Sequence, residues 1–288
     1  MRNGLSSVKL IALQDSSHSC HLFIKVGGYD MTLSKLFDLR GQVAIITGGS
    51  RGLGLQMAHA LGEYGATIAI AARKHTEIES ALQLLAASGV EARGFVADLT
   101  EPAAPQRLAQ EVKNTFGRID ILVNNAGTIW GATAELHPVE AWSKVISLNL
   151  TSVFQLTQAV ANLAFLPQNK GVVLNIASIE GLLGHHPKRP GTVAYSSAKG
   201  GVVNMTRALA AEWGPRNIRV NCIAPGYFPS KMTAATIDLH QDDLTANTPL
   251  GRLGGESDMM GPALLFCSDA SAHITGQILV VDGGFSII

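Results

Sequence analysis

The chain has 288 residues, 47% of them hydrophobic, and its 22 Lys and Arg balance 22 Asp and Glu. That length suits one large α/β domain or two small ones, and the balanced charge with no long basic run argues against a nucleic-acid surface and electrostatic membrane binding. No apolar run reaches the ~20 residues of a membrane span, and three cysteines without a CxxC pair (Cys20, Cys222, Cys267) point to free thiols in a reducing, cytoplasmic compartment.

Residues 1–30 stand apart. A short apolar run, Leu10 to Leu13, lies among polar residues, without the apolar core and small-residue cleavage site of a secretory signal. Arg2, Lys9 and the serines faintly resemble an organelle presequence, and Asp15 and Asp30 argue against one. Residues 1–35 are expected to be a mobile extension, and 36–288 a single domain.

From Leu39 onward strands and helices alternate. Val43–Thr47 is a β-branched run ending in glycines, a buried strand. A helix over Gly52–Tyr64, closed by Gly65, and a strand over Thr67–Ala71 follow. Then come a helix over Thr76–Ala87, a strand over Glu91–Val96 and a helix over Pro102–Phe116 with proline in its first turn. Ile121–Asn124 is the fourth strand, and Val139–Leu166 one or two long helices with Asn149 in the middle. Val172–Ile176 is a strand. The apolar spacing of Val202, Met205, Leu209 and Trp213 marks a helix that also carries Tyr195. Arg219–Ile223, a helix over Gly255–Phe266 and a last strand at Gln277–Val281 complete the series. Such alternation with short loops predicts a doubly wound parallel sheet flanked by helices.

Thr47-Gly48-Gly49-Ser50-Arg51-Gly52-Leu53-Gly54 joins the first strand to the first helix. Its glycines fall as G-x-x-x-G-x-G, not as G-x-G-x-x-G. They let the backbone turn tightly and approach a pyrophosphate, and the amides of the helix start then face the phosphates. After the second strand stands Ala71-Ala72-Arg73-Lys74, with no carboxylate to bind ribose hydroxyls. Arg51 and Arg73 could clamp one phosphate with forked hydrogen bonds, so NADP(H) is expected over NAD(H).

Tyr195 and Lys199 are four apart, one turn up the same helix face. A free phenol titrates near ~10. An ammonium about 4 Å away at an effective dielectric of about 20 favours the phenolate by about 4 kcal/mol, or at most about three pKa units. A phenol so tuned can exchange a proton with a substrate oxygen.

TGGSRGLG, Asp98 in VADLT, Asn124-Asn125-Ala126-Gly127, Asn149, Ser178, Tyr195-x-x-x-Lys199 and Pro225-Gly226 occur in this order and at suitable spacing. Together they resemble a short-chain dehydrogenase/reductase of the compact single-domain kind, over about residues 36–288. The resemblance implies a Rossmann-type, seven-stranded sheet, a homotetramer or homodimer, and hydride transfer between NAD(P) and a small-molecule carbonyl or alcohol. It implies that Tyr195 protonates the carbonyl oxygen, that Lys199 holds the nicotinamide ribose and lowers the phenol's pKa, and that Ser178 hydrogen-bonds the substrate oxygen. Asn149 would hold a water relaying protons to Lys199. Gly48, Ser50, Arg51, Gly52, Leu53 and Gly54 would meet the pyrophosphate side of the cofactor. Asp98 would cap the adenine beside Leu99, and Asn125, Ala126 and Gly127 would admit the adenine ribose. Pro225, Gly226, Phe228 and Ser230 would meet the nicotinamide end.

Ser178 and Tyr195 are 17 positions apart, a few more than the family usually has. The extra residues fall in 181–191, where His185 and His186 lack a third ligand, so no metal site is expected. Lys188 and Arg189 read as a solvated loop tip. Tyr227–Pro249 should form a lid, with Phe228, Met232 and Trp130 as candidate pocket walls. NNAGTIWGA and APGYFPSKMT resemble the 3-ketoacyl reductases, including the branch linked to rhamnolipid synthesis. Gluconate and sugar-alcohol dehydrogenases share the ARK-like cofactor residues. The expected activity is NADPH-dependent ketone reduction, a 3-ketoacyl thioester slightly favoured. A sugar-alcohol dehydrogenase or a catalytically silent nucleotide sensor is the alternative. The apolar end of the chain, through Ile287 and Ile288, is expected to pack on a second subunit.

Overall fold

Val43–Thr47 (β1) is buried along its whole length, and the strands beside it repeat that pattern. The computed structural model describes residues 32–184 and 191–288. Residues 1–31 of the expected N-terminal extension, and the loop tip with His185, His186, Lys188 and Arg189, lie outside the described residues. After one helical turn at Leu33–Leu36, the chain alternates as expected. Gly52–Glu63 (α1) leads to Thr67–Ala72 (β2), His75–Ala87 (α2) and Ala92–Val96 (β3). Ala104–Phe116 (α3) and Ile121–Asn124 (β4) follow, then a long interrupted helix over 139–168 (α4) and Gly171–Ile176 (β5). Val193–Trp213 (α5), Ile218–Pro225 (β6), Ala234–Ala246 (α6), Met260–Cys267 (α7) and Ile278–Val281 (β7) complete the domain.

The seven strands lie in the order β3-β2-β1-β4-β5-β6-β7, and every pairing is parallel. This is the Rossmann-type sheet. Successive side chains of a strand point to opposite faces, so each strand feeds two cores. Ala44, Ile46, Ile68, Ile70, Val172 and Leu174 meet Met57 and Leu61 of α1, Ile78 and Leu85 of α2 and Phe266 of α7. Val43, Ile45, Ala69 and Val173 meet Leu108 and Val112 of α3, Leu156 and Val160 of α4 and Leu209 of α5. Cys222 and Cys267 are buried free thiols.

Two helix starts differ from the sequence reading by two residues or more. Pro102 stays outside α3, which begins at Ala104 with Pro105 in its first turn. Asp98 turns the preceding segment instead, its carbonyl accepting from Glu101 N. The last helix begins at Met260, not Gly255. Gly255 N donates to the Asp258 carboxylate at 2.7 Å, which holds that stretch as a loop.

The order reverses between β1 and β4, and a crevice opens at the carboxyl ends of strands at such a switch point. Here both ends of that junction are tied by side chains. The Asp120 carboxylate accepts from Val43 N at 2.9 Å. Thr47 Oγ1 accepts from Asn125 N at 2.9 Å and from Ala126 N at 3.0 Å.

Candidate active site

The glycine loop is held open by its own contacts. Gly48 has φ +64°, and a Cβ there would sit 2.9 Å from Asn125 Nδ2. A Cβ on Gly54 would fall 2.3 Å from the Gly48 carbonyl oxygen. Asn125 Nδ2 donates to the carbonyls of Thr47 and Gly48 at 2.9 and 3.2 Å. Gly54 and Asn125 are therefore positioning residues that shape the loop. Gly48, Arg51, Gly52, Leu53, Asn125, Ala126 and Gly127 line the cleft itself, so Asn125 does both and Gly54 alone stays behind it.

That cleft, about 460 Å³, runs on to Ser178, Tyr195 and Lys199 and is closed by Pro225, Gly226, Phe228 and Ser230. It continues into a second chamber of about 240 Å³ lined by Ser50, Arg73, Lys74, Glu77, Leu99 and Lys231. Gly48, Arg51, Ala126, Gly127 and Lys231 belong to both chambers. The result is one elongated trough from the phenol of Tyr195 to a cluster of cations.

At the phenol end, Ser178 follows β5 and its Oγ accepts from Glu180 N at 3.2 Å. Lys199, almost fully buried, donates from Nζ to the Ile176 carbonyl at 2.7 Å. Nζ lies 5.6 Å from the Tyr195 ring centre. The expected lowering of the phenol by its lysine is not what the structure holds. Burial pushes Tyr195 up to about 12, the Ser178 hydroxyl opposing and Glu180 and Tyr227 adding to the rise. Burial also drives Lys199 down to about 8, against the pull of Cys222. The Coulomb argument from sequence contained the charge and omitted the desolvation of both groups.

Asn149 does interrupt its helix: Ser147–Thr151 is a π-turn within α4. Its side chain, however, is turned on the chain itself. Asn149 Oδ1 accepts from Thr128 N at 2.8 Å, and Nδ2 donates to Thr128 O at 2.7 Å. This pins the segment after Gly127 beside Lys199. Asp98 flanks the second chamber, with Oδ1 engaged by Thr100 N and Oγ1 at 3.0 and 2.7 Å. Phe228 lines the cleft with a side chain only 4% exposed, packed in the core. Met232 joins the lining, whereas Trp130 stays outside it.

Several participants were invisible in the sequence reading. Glu77 stands in the first turn of α2, five positions past β2, and both its oxygens take Arg51 Nη1 at 2.7 and 2.8 Å. A carboxylate is thus present near the second strand after all, placed by the helix turn. Glu180 gathers the hydroxyls of Thr192, Ser196 and Tyr227 at 3.3, 3.4 and 3.4 Å. Behind the site, Asn124 Nδ2 donates to Asn175 Oδ1 at 2.9 Å, and Asn175 Nδ2 to Thr206 Oγ1 at 2.9 Å. Register makes these asparagines direct neighbours across β4 and β5. Among the described residues, no group of three or more His, Cys, Asp or Glu side chains is placed to hold a metal ion. No helix among them is long and apolar enough to cross a membrane.

A parallel seven-stranded sheet with a glycine-lined trough ending in Ser178, Tyr195 and Lys199 defines an α/β oxidoreductase of the dinucleotide-binding class. Known proteins narrow this. Residues 48–286 match the family model described as enoyl-(acyl carrier protein) reductase. The gluconate 5-dehydrogenase of Gluconobacter oxydans (strain 621H) is 36% identical over 259 residues, 89% of this chain and 99% of that one. The rhamnolipids biosynthesis 3-oxoacyl-(acyl-carrier-protein) reductase of Pseudomonas aeruginosa is 38% identical over 256 residues, 87% of this chain and 98% of that one. Among solved structures, a gluconate 5-dehydrogenase from Burkholderia cenocepacia J2315, in complex with NADP and tartrate, superposes with a TM-score of 0.83. It is 34% identical and covers 89% of this chain and 100% of that one. The chain belongs to the short-chain dehydrogenase/reductase family.

Proposed function

We propose that the protein reduces a ketone to a secondary alcohol with NADPH, Tyr195 supplying the proton. The observation that carries this is the trough: Ser178, Tyr195 and Lys199 line one end, and Arg51, Arg73, Lys74 and Lys231 line the other. The residues present fit a dinucleotide with a phosphate on its adenosine ribose. The loop excludes side chains at Gly48 and Gly54, as close backbone approach to a pyrophosphate requires. Four cations and one carboxylate line the adenosine end, an excess of positive charge that suits a dianionic phosphate.

The nicotinamide, when bound, supplies the hydride. Negative charge then develops on the substrate oxygen, and donors belong there. Ser178 Oγ orients that oxygen. Tyr195, raised to about 12, keeps its proton at neutral pH and is a donor in the reductive direction. Lys199, fixed by the Ile176 carbonyl, stands beside the phenol to hold the ribose and to return a proton. Asn149 keeps the wall after Gly127 in place through Thr128.

For the substrate we favour a 3-ketoacyl thioester, on the apolar Phe228 and Met232 in the wall and the relation to 3-oxoacyl reductases. A keto sugar acid is the second reading. It is favoured by the gluconate 5-dehydrogenase relatives. The test is NADPH oxidation followed over a range of concentrations of acetoacetyl thioester, 5-ketogluconate and cyclic ketones. Turnover of the thioester with a higher kcat/KM than ketogluconate supports the first reading, and the reverse order the second. Cofactor binding without turnover on any of them would leave a nucleotide sensor. Assembly as a dimer or tetramer is part of the proposal, with Leu250, Ile287 and Ile288 exposed at 69%, 81% and 78%, and light scattering measures it.

A further inference from the structure

Lys231 stands on the loop between β6 and α6, and its Nζ reaches across the trough to Glu77 Oε1 at 3.3 Å. The same oxygen takes Arg51 at 2.7 Å and Lys74 at 3.8 Å. Three cations from separate elements thus meet on one anion: the glycine loop, the entry to α2 and the lid loop. Arg73 lines the same chamber. Burial works against the Glu77 carboxylate, but the Lys231 hydrogen bond and the charges of Arg51, Lys231 and Lys74 hold its pKa below the ordinary value.

The Lys231 side chain is 71% exposed, and an ion pair so wetted contributes little. It is easily exchanged. A phosphate with up to two charges and three strong acceptor oxygens outcompetes a single carboxylate oxygen at 3.3 Å for that ammonium. The four-carbon stem of a lysine lets the ammonium move while its backbone stays.

Resting on the NADP(H) reading above, we propose that Lys231 is a specificity-determining latch. Its ammonium sits on Glu77 until the phosphate of a 2′-phosphorylated dinucleotide takes it over. The lid loop is then tied down by the adenosine end of the cofactor. NADH, which lacks that phosphate, leaves Lys231 on Glu77 and gains nothing from it.

The test uses the full chain with NADPH, NADH, 2′,5′-ADP and 5′-AMP as probes. Dissociation constants come from fluorescence titration, and amide hydrogen exchange is followed across 230–246. Lys231→Gln is expected to weaken NADPH and 2′,5′-ADP about five- to tenfold, and NADH and 5′-AMP less than about twofold. In the wild type 2′,5′-ADP slows exchange across the lid, and in Lys231→Gln it does not. Glu77→Gln tightens 2′,5′-ADP about threefold by removing the competing anion, and quickens lid exchange in the free protein. A wild type that prefers NADPH while Lys231→Gln keeps the whole preference overturns the latch and leaves the cofactor reading standing. A wild type with no preference for NADPH over NADH overturns both.

Discussion

Lys199→Met separates what the buried ammonium does for catalysis from what it costs the fold. Lys199 is 4% exposed, and burial lowers it from 10.5 to about 8. That difference corresponds to about 3 kcal/mol of folding free energy lost at neutral pH. Methionine fills nearly the same volume without the charge. It leaves the Ile176 carbonyl without its 2.7 Å donor, which returns about 1–2 kcal/mol of the gain. The cofactor-free variant is therefore expected to be more stable by about 1–2 kcal/mol, a rise in Tm of about 4 °C for a chain of this size. Reductase turnover should be lost in the same variant. The pH dependence has a definite sign. Below about pH 8 the lysine is protonated in both folded and unfolded chains, and its full penalty applies. Between about 8 and 10.5 the folded state has released the proton and the unfolded state has not, so wild-type stability rises with pH. Denaturant unfolding at pH 7 and pH 9.5 measures the gap between the two proteins, which should narrow at the higher pH. A variant less stable than wild type at pH 7, by an amount that does not change with pH, would refute this account.

Tyr195→Phe should lower turnover by about 10²–10⁴-fold while NADPH titration stays near wild type; full activity would remove Tyr195 from the reaction. Arg73→Ala should raise KM for NADPH about tenfold and KM for NADH hardly at all, and equal effects would detach Arg73 from the phosphate. Gly54→Ala forces a Cβ to within 2.3 Å of the Gly48 carbonyl, so dinucleotide binding by calorimetry should fail and Tm should drop. Asn175→Val removes the Asn175 acceptor from Asn124 Nδ2 and the Asn175 donor from Thr206 Oγ1, leaving them Thr157 and Val202, at a cost of about 1–2 kcal/mol in denaturant unfolding.

Most of the sheet was legible because its strands are short, continuous apolar runs buried on both faces, and β1 and β4 were read to the residue. Pro102 and Gly255 misled at helix starts. A proline marks a first turn only when the residues before it do not form a turn of their own, and here Asp98 and Glu101 do. The proposed catalytic group at 178, 195 and 199 was picked out by motif order, and the structure brings all three to one cleft. Its electrostatics were not, because desolvation depends on what covers a side chain. Glu77, Glu180 and Lys231 were missed for a related reason. Each acts through partners far along the chain, Lys231 on Glu77 across 154 positions, and no local pattern announces such a pair.

The stitching of β1 to β4 has a consequence for how the molecule comes into being. Thr47 and the Gly48 carbonyl obtain their partners from Asn125 and Ala126, and the first strand's amide at Val43 waits for Asp120. A ribosome that has released only the first two strands and their helices has made every glycine of the phosphate loop and the bond from Gly48 N to the Ala71 carbonyl, yet not the Asn125 and Ala126 contacts that hold the other side of the loop. The loop therefore gains its full set of contacts only late in synthesis, when the fourth strand slots in beside the first.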